Sequence, residues 1–144
     1  MQRNVHLYEF CYMFLVGSLV YSLLEITFRG FTHWTMTLLG GISGAMLYAV
    51  AADRKCPLLL QGIACALLIT AAEMVTGVFA NLIFRWNVWD YTNMPLNLYG
   101  QICLPFTLLW LLLSFPAIWL CRRIRHCFLK SSHFSEENAL GNTA

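Results

Sequence analysis

Residues 58–84 read LLLQGIACALLITAAEMVTGVFANLIF, and this stretch decides the fold. Its only charged side chain is Glu73. About 20 mostly apolar residues in a helix cross the ~30 Å hydrocarbon layer of a bilayer, and this run exceeds that length. A carboxylate in hydrocarbon is costly unless it is paired, hydrated or neutralised, so what Glu73 faces becomes the first question.

Working outward from it, three further runs have the length of a span. The four predicted helices cover 7–28, 34–52, 57–84 and 98–121. No run alternates apolar and polar residues as a barrel strand would. The predicted fold class is therefore all-α, a polytopic membrane helix bundle of four transmembrane helices. Composition agrees: 59% of the 144 residues are hydrophobic and 11% charged, against about a quarter charged in a soluble domain. Residues 1–129 form one transmembrane domain, and the polar residues 130–144 read as a disordered tail. The first run has the length of a span and no small-residue cleavage site after it, so it reads as a retained helix.

Basic residues set the expected orientation. Arg3 precedes the first helix, Arg54 and Lys55 separate the second and third, and Arg122, Arg123, Arg125 and Lys130 follow the fourth. The other side holds only Arg29 and Arg85. Both termini are thus expected in the cytoplasm, with Glu25 and Glu73 toward the outer leaflet. Trp34, Trp86, Trp89 and Tyr91 fall at the same outer boundary, where aromatic rings favour the headgroup level. A net charge of +2, gathered at segment ends, suits lipid headgroups and excludes a nucleic-acid footprint.

Six cysteines form no C-x-x-C pair and read as small apolar packing residues. Four scattered histidines have no metal-ligand spacing. No cofactor and no metal is implied.

The candidate site is a polar constellation on the outer side. Glu25 and Arg29 are four residues apart and share a helix face. Either they neutralise each other, or Arg29 snorkels while Glu25 meets water. Glu73 has no basic residue within one turn. It is expected to face the bundle interior and to need a partner from another helix, a water-filled cavity or a proton, Arg29 and Arg85 being the basic candidates on that side. The loop 85–97 concentrates Arg85, Trp86, Trp89, Asp90, Tyr91 and Asn97, a composition for a binding cap over the polar side chains. The candidate substrate-binding residues are therefore Glu25, Arg29, Glu73, Arg85, Trp89, Asp90, Tyr91 and Asn97. Gly40 and Gly44 form a G-x-x-x-G that lets a helix of this chain or of a second copy approach closely. Gly77 and Gly100 are further candidate packing positions. Pro105 and Pro116 interrupt the fourth helix.

The second half carries Glu73, Thr76-Gly77, Trp89-Asp90-Tyr91, Pro95-x-Asn97-x-x-Gly100 and Ile102-Cys103-Leu104, with Trp110 beyond. With Glu25 and Arg29-Gly30 in the first half, this resembles the small bacterial multi-pass proteins described as putative ABC-transporter type IV permeases. A related family of small vertebrate transmembrane proteins shares the Trp-Asp-Tyr element. The family commonly has Gly-Pro after Arg-Gly and Tyr-Gly in the second helix; here Phe31 to Thr35 and Leu39 to Gly41 stand instead. The resemblance implies transport and a bacterial cytoplasmic membrane. The chain holds no G-x-x-x-x-G-K phosphate loop, so an ABC role implies a separate ATPase subunit, docked on Asp53 to Cys56 or on the basic tail.

The leading expectation is a permease-like membrane subunit that binds or moves a small solute, partnered by the bilayer and by a second copy or a larger membrane protein. The alternative is a structural or regulatory membrane partner whose buried charges only lock the helices. An intramembrane lipid enzyme would need a nucleophile–base pair or a metal cluster, neither visible in the sequence, so no enzyme is expected.

Overall fold

The computed structural model describes the backbone of residues 2–141 and the side chains of residues 7–130. Four helices carry the chain: α1 (Gln2–Arg29), α2 (Trp34–Ala51), α3 (Leu58–Gly77) and α4 (Leu104–Gly141). Within them lie four stretches long and apolar enough to cross a membrane: Leu7–Arg29, Trp34–Ala51, Leu58–Ile83 and Leu104–Lys130. The chain is an all-α polytopic membrane bundle. Helices satisfy every backbone N–H and C=O within the segment, which the hydrocarbon layer demands. The outer surface is apolar, with Leu15, Leu19, Leu67, Leu108 and Leu112 exposed. In water that surface would be an aggregation liability; in lipid it is the solvated face. The expectation of a disordered tail over 130–144 falls where side chains lie outside the described residues.

Packing of α1 on α2 rests on small residues. A Cβ on Gly44 would come within 2.9 Å of the Gly17 Cα, and one on Gly40 would strike Tyr21 and the Gly17 carbonyl. The G-x-x-x-G of α2 therefore receives α1 of the same chain, with Gly17 as its counterpart. Lipid tails compete with any apolar side chain, so close backbone approach is what favours helix association here.

Two clusters divide the core. Met13, Tyr48, Ala51, Cys65, Ile118 and Cys121 pack at the end carrying the α2–α3 loop. Tyr21, Met36, Leu39, Ala80, Val88 and Trp89 pack at the other. Tyr12 meets Phe128 edge-on at 5.7 Å, which brings the early part of α1 beside the late part of α4.

Element boundaries depart from the sequence reading: α1 starts at Gln2, before 7, and α4 runs on to Gly141, past 121. The third span ends in a π-helical turn, Val78–Ile83, closed by Phe84 N–H donating to the Phe79 carbonyl at 2.9 Å. The fourth helix starts at Leu104, not at 98, because residues before it fold into a small ribbon. There β1 (Asn97–Leu98) pairs antiparallel with β2 (Ile102–Cys103), Leu98 opposite Ile102. Tyr99 and Gly100 turn that ribbon, both at positive φ, which a tight hairpin turn requires. Pro105 then sits in the first turn of α4, where its missing N–H costs nothing. Pro116 lies inside α4 and withholds a donor from the Leu112 carbonyl. One turn earlier, the Ser114 hydroxyl donates to the Trp110 carbonyl at 2.7 Å.

Candidate functional site

The polar constellation gathers at the end opposite the α2–α3 loop. Glu73 is 2% exposed although it sits within an apolar span. Its partner comes from α1: the Tyr21 hydroxyl donates to Glu73 Oε1 at 3.1 Å. Tyr21 in turn stacks on Trp110 of α4, ring centroids 5.4 Å apart and planes 21° off parallel. The Trp110 indole N–H is buried with no hydrogen-bond partner. Three helices thus converge on one carboxyl group. Glu73 makes no ion pair among the described residues. Of the alternatives for Glu73, a partner from another helix is the one present, and it is a hydroxyl, not Arg29 or Arg85.

Arg29 is engaged elsewhere. Its Nη1 donates to Glu25 Oε2 at 2.6 Å, one turn earlier on α1. Its Nη2 donates to the Val88 carbonyl, and its guanidinium lies 4.7 Å from the centre of the Phe31 ring. Of the two readings for this pair, mutual neutralisation is the one the geometry takes. The same side chain also ties α1 to the loop before α4.

That loop is folded against the helix ends. Asn81, in the π-helical turn, accepts from the Val88 N–H at 2.7 Å and donates to the Trp89 carbonyl at 3.0 Å and to Gln101 Oε1 at 2.8 Å. The Trp89 indole donates to the Gln101 carbonyl at 2.8 Å. Gly77 makes room for this arrangement, since a Cβ there would meet Gln101 Oε1 at 2.5 Å and the Trp89 ring at 3.0 Å. Buried amides with every hydrogen bond made fix a unique conformation. They hold four non-glycine residues at positive φ, Arg85, Asn87, Leu96 and Tyr99, a backbone state that persists only where its surroundings over-determine it.

The loop residues proposed from sequence divide into two groups. Tyr91 is half-buried, stacked on Phe106 with centroids at 4.6 Å, and in the field of Glu73 and Glu25. Burial pushes its phenol well above the usual 10.0, and both carboxylates push the same way. It stays a neutral hydroxyl beside the acids. Trp89, Asp90 and Asn97 instead build the loop. Asp90 is exposed and accepts from the Thr92 hydroxyl and from the Thr92 N–H, the latter at 2.8 Å. These bonds hold its carboxyl below the usual 3.8. Asn97 donates to the Thr92 and Met94 carbonyls at 3.0 and 2.9 Å. Gly100 is at φ +67° and has no room for a Cβ, which would lie 2.7 Å from the Thr92 hydroxyl. Arg85 is exposed and stands apart from the acids, with no hydrogen bond or ion pair among the described residues. Trp34 and Trp86, by contrast, are exposed and meet edge-on at 5.7 Å, as boundary aromatics do.

Below Tyr21 and Trp110 a crevice of about 330 Å³ runs between α1, α2 and α4 toward Cys121. Its walls are apolar apart from Tyr21, Trp110, Ser43 and Ser114. The Ser43 hydroxyl is buried without a partner.

Sequence reasoning missed Tyr21, Asn81 and Gln101. It also left Glu9 without a role. At the other end of the bundle Glu9, 1% exposed, accepts from the Tyr48 hydroxyl, and Arg125 Nε donates to Tyr48 Oη at 3.2 Å. A four-residue spacing on α1 carries the missed signal: Glu9, Met13, Gly17, Tyr21, Glu25 and Arg29 form one ridge.

A family model described as "Putative ABC-transporter type IV" matches residues 6–138, from α1 into α4. The chain belongs to this family. No curated protein and no solved structure matches it. The transporter family and the four spans agree on a multi-pass membrane protein of the transport class. In this member of the ABC-transporter type IV family the loop before α4 is held by its own hydrogen bonds. Trp89, Asp90, Asn97 and Gly100 shape the loop, Tyr91 stacks on Phe106, and in the helices Glu73 is paired with Tyr21 and Glu25 with Arg29.

Proposed function

We propose that the chain is a permease-like membrane subunit that binds or moves a small solute through a polar site formed by Glu73, Glu25, Arg29 and Tyr91 beneath the loop 84–103. One observation carries this reading. Glu73 is buried among three apolar spans with a hydroxyl for a partner and no cation, the costly arrangement that membrane proteins keep for ligand and ion pathways. Orientation follows the basic residues: the end with Arg54, Lys55, Arg122 and Arg123 faces the cytoplasm, and the site faces outward. Four helices are few for a solute path, so a second copy or a larger membrane partner completes it. Coupling to ATP requires a separate ATPase subunit on the cytoplasmic end. A bacterial cytoplasmic membrane fits this assignment.

The test is uptake of a defined mixture of amino acids, polyamines and nucleosides into proteoliposomes. Glu73→Gln should abolish the uptake that the native chain shows while the protein stays folded. Undiminished uptake by Glu73→Gln would refute the reading.

A second reading has an observation in its favour. Asn81, Gln101 and Arg29 direct their hydrogen bonds to neighbouring helix and loop groups, as residues that only lock a bundle would. On that reading Glu73→Gln lowers stability in detergent and changes no ligand, and the chain co-purifies with a larger membrane protein.

A further inference from the structure

At the opposite end of the bundle a second cavity, about 430 Å³, is lined by Arg54, Trp119, Arg122, Arg123 and His126. It holds three guanidinium groups and no carboxylate. Its geometry is fixed by a buried amide. Gln61, 1% exposed at the start of α3, donates through Nε2 to the Asp53 carbonyl and, at 3.3 Å, to the Cys56 carbonyl. Through Oε1 it accepts from Arg122 Nη2 at 3.0 Å. One side chain thereby anchors both walls, the short loop that carries Arg54 and the helix that carries Arg122.

Asp53, next to Arg54 in the chain, is not among the lining residues. Asp53 Oδ1 accepts from the Lys55 N–H at 3.0 Å within its own loop. Arg123 lies over the Trp119 ring at 5.2 Å, which orients its planar fork. Arg122 Nε is buried and has no hydrogen-bond partner. A buried guanidinium nitrogen without an acceptor is an uncompensated cost that an anionic oxygen would remove.

We propose that this pocket binds the phosphate of an anionic phospholipid. Arginine forks match phosphate oxygens in a bidentate manner. The pocket is lined from within the apolar span Leu104–Lys130, and this selects a lipid as the phosphate source. Trp119 is exposed beside the exposed Leu120, about one turn past the exposed Pro116 and about two past the exposed Leu112, so acyl chains and pocket are neighbours. Basic pockets between spans at the membrane edge are recognised sites for lipid headgroups. The proposal is independent of the solute site at the other end.

The full chain, purified in a neutral detergent and stripped of lipid, is titrated with short-chain phosphatidylglycerol, short-chain phosphatidylcholine or inorganic phosphate, and bound adducts are read by native mass spectrometry. Phosphatidylglycerol should be retained over phosphatidylcholine. The double variant Arg54→Gln, Arg123→Gln should lower its affinity roughly 10- to 30-fold, given the usual contribution of each basic residue. The double variant Lys55→Gln, Lys130→Gln removes the same net charge outside the pocket and should leave the affinity unchanged. Where the first pair does not purify, Arg123→Gln alone serves, because it breaks only a ring contact. Equal retention of the two lipids, equal losses in the two double variants, or no loss in the pocket variants would overturn the proposal. Displacement of the lipid by inorganic phosphate at the same concentration would assign the pocket to free phosphate and overturn the lipid assignment.

Discussion

The Tyr21 hydroxyl on α1 reaches Glu73 Oε1 on α3 across 3.1 Å, and both side chains are buried. A tyrosine supplies what an acid in an apolar span lacks, a donor that brings no second charge into hydrocarbon. Tyr21→Phe keeps the ring stacked on Trp110 and removes only the donor. It should destabilise the bundle by about 1–3 kcal/mol, the cost of leaving a buried acceptor unpaired. Thermal unfolding in detergent reads this. In a double-mutant cycle with Glu73→Ala, which removes the acceptor, the two losses should not add, because the residues are in contact.

The close approach of α1 and α2 gives a steric prediction. Gly17→Val places a branched side chain where the Gly40 carbonyl and the Gly44 backbone already stand. Overpacking of this kind costs about 1–3 kcal/mol, and more where backbone is the obstacle. The monodisperse yield after solubilisation should fall sharply, while Gly30→Ala, with open space around its Cβ position, should cost far less and only through its backbone conformation.

Much of this architecture was legible in the chain. The four spans were readable because lipid asks for unbroken apolar runs, and no tertiary detail is needed to see them. That Glu73 turns inward also followed from the price of exposing it to lipid. Its partner did not follow, because a search for opposite charge passes over Tyr21, whose place on the ridge from Glu9 to Arg29 shows only when α1 is read in steps of four. The loop 84–103 was the least legible part. Trp89 and Asn97 have the chemistry of binding residues, yet their polar atoms meet the loop's own backbone, an outcome fixed by Asn81 and Gln101 from outside the stretch 85–97. The start of α4 reads as 98 in the sequence because the ribbon of Asn97 to Cys103 is apolar enough to pass for helix.

Asn81 should be the residue on which the loop depends. Asn81→Ala leaves the Val88 N–H, the Trp89 carbonyl and Gln101 Oε1 without their partner. Hydrogen exchange should then quicken across 84–103, at Val88 by about tenfold or more for a lost buried bond. The α1–α2 contact should keep its protection. Loss of protection throughout the bundle would make Asn81 a global support instead.

Acid should loosen the turn at residues 90–92. The Asp90 carboxyl is held below its usual 3.8 by the Thr92 hydroxyl and N–H, so its folded value lies under its unfolded one. The turn is then fully supported above the unfolded value and weakens as pH falls from there through the folded value. Amide exchange at Thr92, measured against pH, should rise over that acid window in the native chain and show no such step in Asp90→Asn.

Uptake and stability measured together on Glu73→Gln bear most directly on what the buried acid is for. Glutamine keeps the size and an acceptor for Tyr21 and removes only the charge and the exchangeable proton. A solute-handling site should lose nearly all uptake into proteoliposomes while the unfolding temperature in detergent stays close to that of the native chain. Full uptake with a lowered unfolding temperature would contradict it and leave Glu73 as a strut between α1 and α3.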